Sequence, residues 1–117
     1  MVTLWPRPVD FVVLENTNIS VENVKKLTDS AEMTWDALNK KDMRIFSEGF
    51  LSSFKAQITM FPKMMNDKVA KVIDKHRDKA PAWKLSGAGG GGYLILISEE
   101  EIPNAIRVKI RRKDFWI

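Results

Sequence analysis

The chain has 117 residues, no cysteine, 44% apolar and 29% charged residues, and a net charge of +4 from 19 Lys+Arg against 15 Asp+Glu. This length and composition predict one domain over 1–117 and exclude collagen-like, low-complexity and disordered chains. Without cysteine, and with His76 as the single histidine, we expect no disulfide framework, no structural zinc site and no redox chemistry.

Membrane and secretion signals are not found. The longest apolar runs, 11–14 and 93–97, are far shorter than the roughly 20 residues of a membrane-spanning helix. The N-terminus has no basic start followed by an apolar stretch, so we expect a cytoplasmic protein without a membrane partner. The net charge of +4 is small and is explained by the need for solubility, so nucleic acid is not the expected partner.

The first helix follows a short N-terminal segment. Val2–Trp5 can end a strand, whereas Pro6 and Pro8 exclude a continuous helix there. Ser20 can cap a helix over 21–40, because apolar residues then recur every three or four positions. These residues are Val21, Val24, Leu27, Ala31, Trp35 and Leu38.

Two more helices are predicted before Pro81. Asp42 can cap a helix over 42–60, whose stripe of Phe46, Phe50, Phe54, Ile58 and Phe61 predicts a buried face. Gly49 within it indicates close packing against another helix. Asn66 or Asp67 can cap a third helix over 66–78. His76 lies near its charged end, where a solvated, non-catalytic role is expected.

The pattern changes to that of strands after Pro81. The sequence predicts strands over 82–86, 93–98 and 105–111. The middle strand is apolar throughout, so we expect it to be central and covered on both faces, whereas the last alternates and has a face for water. Helices followed by paired strands predict an α+β domain with three helices packed on an antiparallel sheet.

Five of the six glycines lie in 87–92, between the first two of these strands. Residues without Cβ allow positive φ angles and converging N–H groups, which suit phosphate oxygens. The plain alternative is a flexible linker or hairpin loop. The spacing Gly87, Gly89, Gly92 also fits the dinucleotide fingerprint, but that motif must open a helix, and a strand follows here. A protein-kinase glycine loop does join two strands, yet no catalytic loop follows it.

The wider run from Lys84 to Gly92, K-L-S-G-A-G-G-G-G, resembles the third, C-terminal motif of the GHMP kinases. Within that superfamily it is most similar to the galactokinase, fucokinase and heptose kinase branches. The preceding helices also resemble the family, so the similarity covers most of the chain. The residues that carry this second likeness are Trp35, Phe50, Phe54, Gln57, Met60, Phe61 and Pro62.

The resemblance implies a ferredoxin-like C-terminal domain of an enzyme that phosphorylates a sugar hydroxyl with ATP and Mg²⁺. In the family this loop lies next to the phosphates and the substrate. That role carries over to Ser86, Gly87, Ala88, Gly89, Gly90, Gly91 and Gly92.

The family's nucleotide-phosphate loop, P-x-x-x-G-L-x-S-S-A, its catalytic Asp and its metal ligands have no counterpart in this chain. The chain is therefore expected to be the C-terminal portion of such a kinase, with no catalytic residue and no metal ligand of its own. Its partner would be the N-terminal ATP-binding domain of the same enzyme. Alone it should be inactive, hold no cofactor, and self-associate through the face left exposed.

A non-enzymatic module that binds nucleic acid or a protein is the competing hypothesis. Its support is a basic C-terminal segment. Charges on the water-facing side of an edge strand explain the same residues, because they discourage aggregation. The residues in question are Arg107, Lys109, Arg111, Arg112 and Lys113.

Overall fold

A computed structural model describes residues 1–6, 14, 16–87, 89 and 91–108. In chain order these residues form strand β1 and helices α1 and α2, then a short 3₁₀ turn, helix α3, and strands β2 and β3. Their bounds are β1 Val2–Thr3, α1 Val21–Lys40, α2 Met43–Met60, the 3₁₀ turn Pro62–Met64, α3 Asp67–His76, β2 Ala82–Leu85 and β3 Tyr93–Ile97. The α+β class is confirmed.

Each helix begins where a side-chain cap was predicted. The Ser20 hydroxyl accepts from the Asn23 N–H at 3.1 Å. Asp42 accepts from Ile45 N–H at 3.0 Å, and Asn66 from Val69 N–H at 2.9 Å. Such caps satisfy N–H groups that the first helical turn leaves without partners, so the local sequence sets these three starts.

The sheet is antiparallel, in the order β1-β3-β2. The prediction that β3 is central is therefore confirmed. Leu85 of β2 pairs with Leu94 of β3, and both are buried in one core with Phe54 of α2. The other core members are Met64 of the 3₁₀ turn and Val69 and Ile73 of α3.

Cover on both faces of β3 was also expected, and this is wrong at Tyr93, which is 41% exposed. Alternate residues of a strand point to opposite faces, and the core formed with the helices holds only the Leu94 and Leu96 side of β3. Tyr93, Ile95 and Ile97 belong to the other face, where the two isoleucines are half-buried.

A strand over 105–111 was predicted, and residues 105–108 do not form it. Positions 109–111 lie outside the described residues. Ile106 exchanges backbone hydrogen bonds with Met1, donating its N–H at 2.7 Å and accepting from the terminal ammonium. The neighbouring β1 has only two residues, so pairing stops there and leaves Ile106 and Val108 more than half exposed. The third strand of the sheet is instead β1.

Helices α1 and α2 approach closely at Gly49, as predicted. An added Cβ on Gly49 would lie 2.4 Å from Thr34 Oγ1 and 3.0 Å from the Thr34 backbone N. On α1 this contact face consists of small side chains, with Ser30 and Ala37 buried and Thr34 half-buried. The apolar stripe predicted for α1 lies largely beside this face, since Val21, Val24 and Trp35 are exposed.

Candidate functional site: the glycine loop

The glycine loop connects β2 to β3 as a hairpin whose two ends are tied to neighbouring strands. At its start the Ser86 N–H donates to the Tyr93 carbonyl at 3.0 Å. At its end Gly92 donates to the Trp5 carbonyl at 2.8 Å and accepts from the Leu4 N–H at 2.7 Å. The segment after β1 thus continues the sheet alongside the loop and holds its second end.

The middle of the loop rests on the 3₁₀ turn. Gly89 has a φ of +76°, and an added Cβ would lie 2.8 Å from the Met64 carbonyl oxygen and 2.9 Å from Met64 Cα. Since Met64 is 2% exposed and belongs to the core, the loop backbone is seated on the folded body of the domain. Positive φ and close backbone approach are both conditions that glycine meets without strain.

The structure thus brings together the loop residues that the sequence analysis singled out. Gly89 and Gly91 are buried, Ser86 and Gly92 are half-buried, and Gly87 is exposed. Ala88 and Gly90 lie outside the described residues. Burial of the loop's centre argues against a flexible linker, which would be solvated along its length.

Two basic side chains lie on or against segments that contact the loop. Lys63 precedes Met64 in the 3₁₀ turn, and the Lys68 ammonium lies 5.7 Å from the ring centroid of Trp5, the residue whose carbonyl accepts from Gly92. Composition alone did not single out these lysines, because they are scattered in sequence. Each lies on, or against, a segment that contacts the loop only in the folded chain.

Lys84, the first residue of the motif, reaches α2. Its ammonium donates to Gln57 Oε1 and, at 3.4 Å, to Ser53 Oγ. Both partners are neutral, and burial lowers the pKa of Lys84 from 10.5 to about 8. The sequence analysis named both Lys84 and Gln57 as parts of the resemblance but did not pair them. The structure joins them by a hydrogen bond between β2 and α2.

This burial makes a pH prediction for Lys84. Its pKa is lower in the folded state, so the unfolded chain binds the extra proton between pH 8 and 10.5. Below pH 8 the half-buried Lys84 charge lowers the free energy of unfolding by its full amount, and this loss disappears as the pH rises through 10.5. Because the ammonium still reaches solvent, we expect the wild type to gain only about 1 kcal/mol relative to Lys84→Met over that range.

Urea unfolding of both chains at several pH values measures that difference, and an NMR titration of the Lys84 side chain gives the pKa directly. A titration midpoint near the ordinary value of 10.5 would contradict the prediction. The Nδ1 of His76 lies 2.8 Å from the Val72 carbonyl oxygen of its own helix.

Over the described ranges, no three His, Asp or Glu side chains come together as a metal site. None of the helices in this part of the chain combines the length and apolar character needed to cross a bilayer.

The chain is related in sequence to a protein that contains a sugar kinase. This relative is the bifunctional fucokinase/GDP-fucose pyrophosphorylase of Arabidopsis thaliana, which is 26% identical over 98 residues. The match covers 83% of this chain but 9% of the Arabidopsis protein, so the chain spans under a tenth of that relative's length. No family model matches the chain, and neither does any solved structure.

Proposed function

We propose that this chain is the C-terminal portion of an ATP-dependent sugar kinase of the GHMP type and that its glycine loop lines the phosphate and substrate site. The observation that carries the proposal is the seated loop, in which Gly89 is held against the Met64 backbone at a positive φ. A loop seated in this way has a fixed backbone, and groups held in fixed positions are what stabilisation of a transferring phosphoryl group requires.

The relationship to the Arabidopsis protein supports the same proposal. The name of that protein combines two activities, and the K-L-S-G-A-G-G-G-G motif favours the kinase as the one to which this chain corresponds. ATP and Mg²⁺ would be cofactors of the whole enzyme, with the metal held by groups of the partner domain. The ferredoxin-like topology is part of this proposal. The described sheet, with its three strands, is compatible with it.

Several groups that the family needs for catalysis have no counterpart in this sequence, which leads to a prediction for the isolated chain. The adenine pocket, the metal ligands and the catalytic carboxylate of the family have no counterpart here. We therefore expect no sugar kinase activity and MgATP binding no tighter than about millimolar, which corresponds to about 4 kcal/mol. Isothermal titration calorimetry with MgATP tests this, and a micromolar dissociation constant would mean that the chain is an intact nucleotide-binding domain.

A chimera tests the proposed function directly. The matched segment of the Arabidopsis protein is replaced by the 98 matching residues of this chain, and both activities are measured. We expect ATP-dependent fucose phosphorylation to persist in the chimera. In the Gly87→Val chimera it should fall about 100-fold, because the substitution shifts the loop backbone by up to about an ångström. Gly87 suits this test because it is exposed, with a φ of +74°.

The second activity of the chimera is its internal control. Pyrophosphorylase activity should be unchanged by Gly87→Val, and both activities should be unchanged by Ser52→Val on the exposed side of α2. If Gly87→Val instead lowers the pyrophosphorylase and spares the kinase, the loop belongs to the other active site. The proposal would then be wrong.

The competing nucleic-acid module gains no specific support. Of its basic residues, Arg107 alone is described, and it is exposed in a segment without strand structure. Lys109, Arg111, Arg112 and Lys113 lie outside the described residues.

A further inference from the structure

Helix α1 carries an exposed apolar stripe that nothing in the described part of the chain covers. Val21 is 89%, Val24 45% and Trp35 63% exposed. Thr28 and Ala31 lie between them and are exposed as well. We call these five residues, Val21, Val24, Thr28, Ala31 and Trp35, the outer stripe.

The outer stripe has the spacing of a helix-pairing seam. Its members follow one another at intervals of three, four, three and four residues, which is the a/d pattern of coiled coils. At 100° per residue they fall within an arc of about 80°, about 120° away from the face that packs on α2. The helix can therefore contact α2 and a second helix at the same time.

Charges flank the stripe on the side away from α2, and their order is asymmetric along the helix. Lys25 lies in the N-terminal half, and Glu32 and Asp36 lie in the C-terminal half. In a parallel pair, the two-fold axis would place the charged sides of the two helices on opposite edges of the seam, so Lys25 and Glu32 would not meet. In an antiparallel pair centred near Thr28, each Lys25 faces the Glu32 of the other helix, and each Asp36 approaches the positive end of the other helix dipole.

We propose that the outer stripe is a self-association surface on which α1 of one copy packs antiparallel against α1 of a second copy. Trp35 is its largest apolar contact and faces Val21 of the other copy at each end, and two symmetric Lys25–Glu32 pairs set its direction. An isologous contact of this kind closes at two copies and forms no fibre. The proposal does not rest on the kinase assignment, and a kinase could have or lack this contact.

Existing contacts of these charges do not oppose the pairing. Lys25 already forms an ion pair with Asp29 at 3.2 Å, but both side chains are more than half exposed. Exposed pairs within one helix contribute little to stability, so Lys25 can turn to a new partner at small cost. Because one helix pair buries a modest area, we expect a weak dimer, formed in the micromolar to millimolar range.

Sedimentation of the 117-residue chain between about 10 and 500 µM tests the proposal. We expect a concentration-dependent monomer–dimer equilibrium that Trp35→Ala weakens at least about tenfold, because each dimer then loses two large aromatic contacts. Since Trp35 is 63% exposed in the single chain, its truncation should leave the fold intact, which circular dichroism verifies.

A charge-reversal experiment makes the test specific for the antiparallel pair. Lys25→Glu and Glu32→Lys should each weaken self-association, because each homodimer then places like charges opposite one another. Mixing the two variants in equal amounts should restore a dimer that contains one copy of each. Lys26→Glu is the matched control, because Lys26 points away from the outer stripe by about 180°.

Two results would overturn the proposal. A chain that stays monomeric up to 500 µM would leave the outer stripe to another domain of a longer protein. A dimer that is indifferent to Trp35→Ala, or two charge variants that do not associate on mixing, would place the contact on a different surface.

Discussion

Replacing Gly89 with valine is expected to lower the free energy of unfolding of this chain by about 3 kcal/mol or more. Two costs combine at this position. A β-branched residue at a φ of +76° is strained by roughly 1–3 kcal/mol. Its Cβ would also lie 2.8 Å from the Met64 carbonyl oxygen. Since the neighbouring atoms are backbone, the collision is relieved only by lifting the loop or by moving the 3₁₀ turn, which adds a cost of similar size.

Gly87→Val is the matched control for this substitution. Gly87 has nearly the same φ, +74°, but it is exposed, so valine there should carry the strain without the collision. Urea unfolding of the two variants should differ by at least about 1 kcal/mol, with Gly89→Val the less stable. Equal losses in the free energy of unfolding would mean that Gly89 does not pack closely against the Met64 backbone. Against a total stability of about 5–15 kcal/mol, the Gly89 effect is large.

The second large effect is expected at Gly49, where valine should destabilise the chain by about 2–4 kcal/mol. The first obstacle is Thr34 Oγ1, which an added Cβ would approach to 2.4 Å. That hydroxyl is held in place because it donates to the Ser30 carbonyl at 2.7 Å. The backbone N of Thr34, at 3.0 Å, is the second obstacle. Relief therefore requires that α1 and α2 move apart.

A double-mutant cycle divides this cost between the two obstacles. Thr34→Ala removes Oγ1 but not the backbone, so it should recover part of the loss caused by Gly49→Val and leave at least about 1 kcal/mol. Ser52→Val controls for introducing a β-branched residue into α2, because Ser52 is exposed; its effect should stay within about 0.5 kcal/mol. If the Gly49 and Ser52 variants unfold at the same urea concentration, the close approach of the two helices is wrong.

Local sequence was sufficient for the helices. Their starts depend on short-range contacts, in which Ser20, Asp42 and Asn66 accept from N–H groups three residues later. The spacing of apolar residues was sufficient to predict β2 and β3, because the apolar runs after Pro81 do not recur every three or four positions as in a helix. The glycine-rich connection between these strands was also predictable, because both its sequence neighbours are strands.

Contacts that join distant parts of the chain could not be read in this way. The alternation of Ile106 and Val108 predicts a strand equally well whether or not a partner strand exists. Strand pairing is decided by the neighbour, and β1 is too short to provide it. The same limit applies to α1, where one stripe of apolar residues predicted a helix but did not say which side packs. The close approach at Gly49 is made by Thr34, and the small side chains Ser30 and Ala37 are buried, whereas Trp35 is left exposed.

The sequence by itself determined the fold class, the three helices and the glycine-rich motif, because these depend on residues within a few positions of one another. Tertiary structure alone decided how the loop is held. Met64 and Gly89 are 25 positions apart, and the Trp5 carbonyl that binds Gly92 is farther still. A position can require glycine because its φ is positive or because a neighbouring atom leaves no room for a Cβ. The second reason depends on what packs against the glycine, and packing is a property of the folded chain.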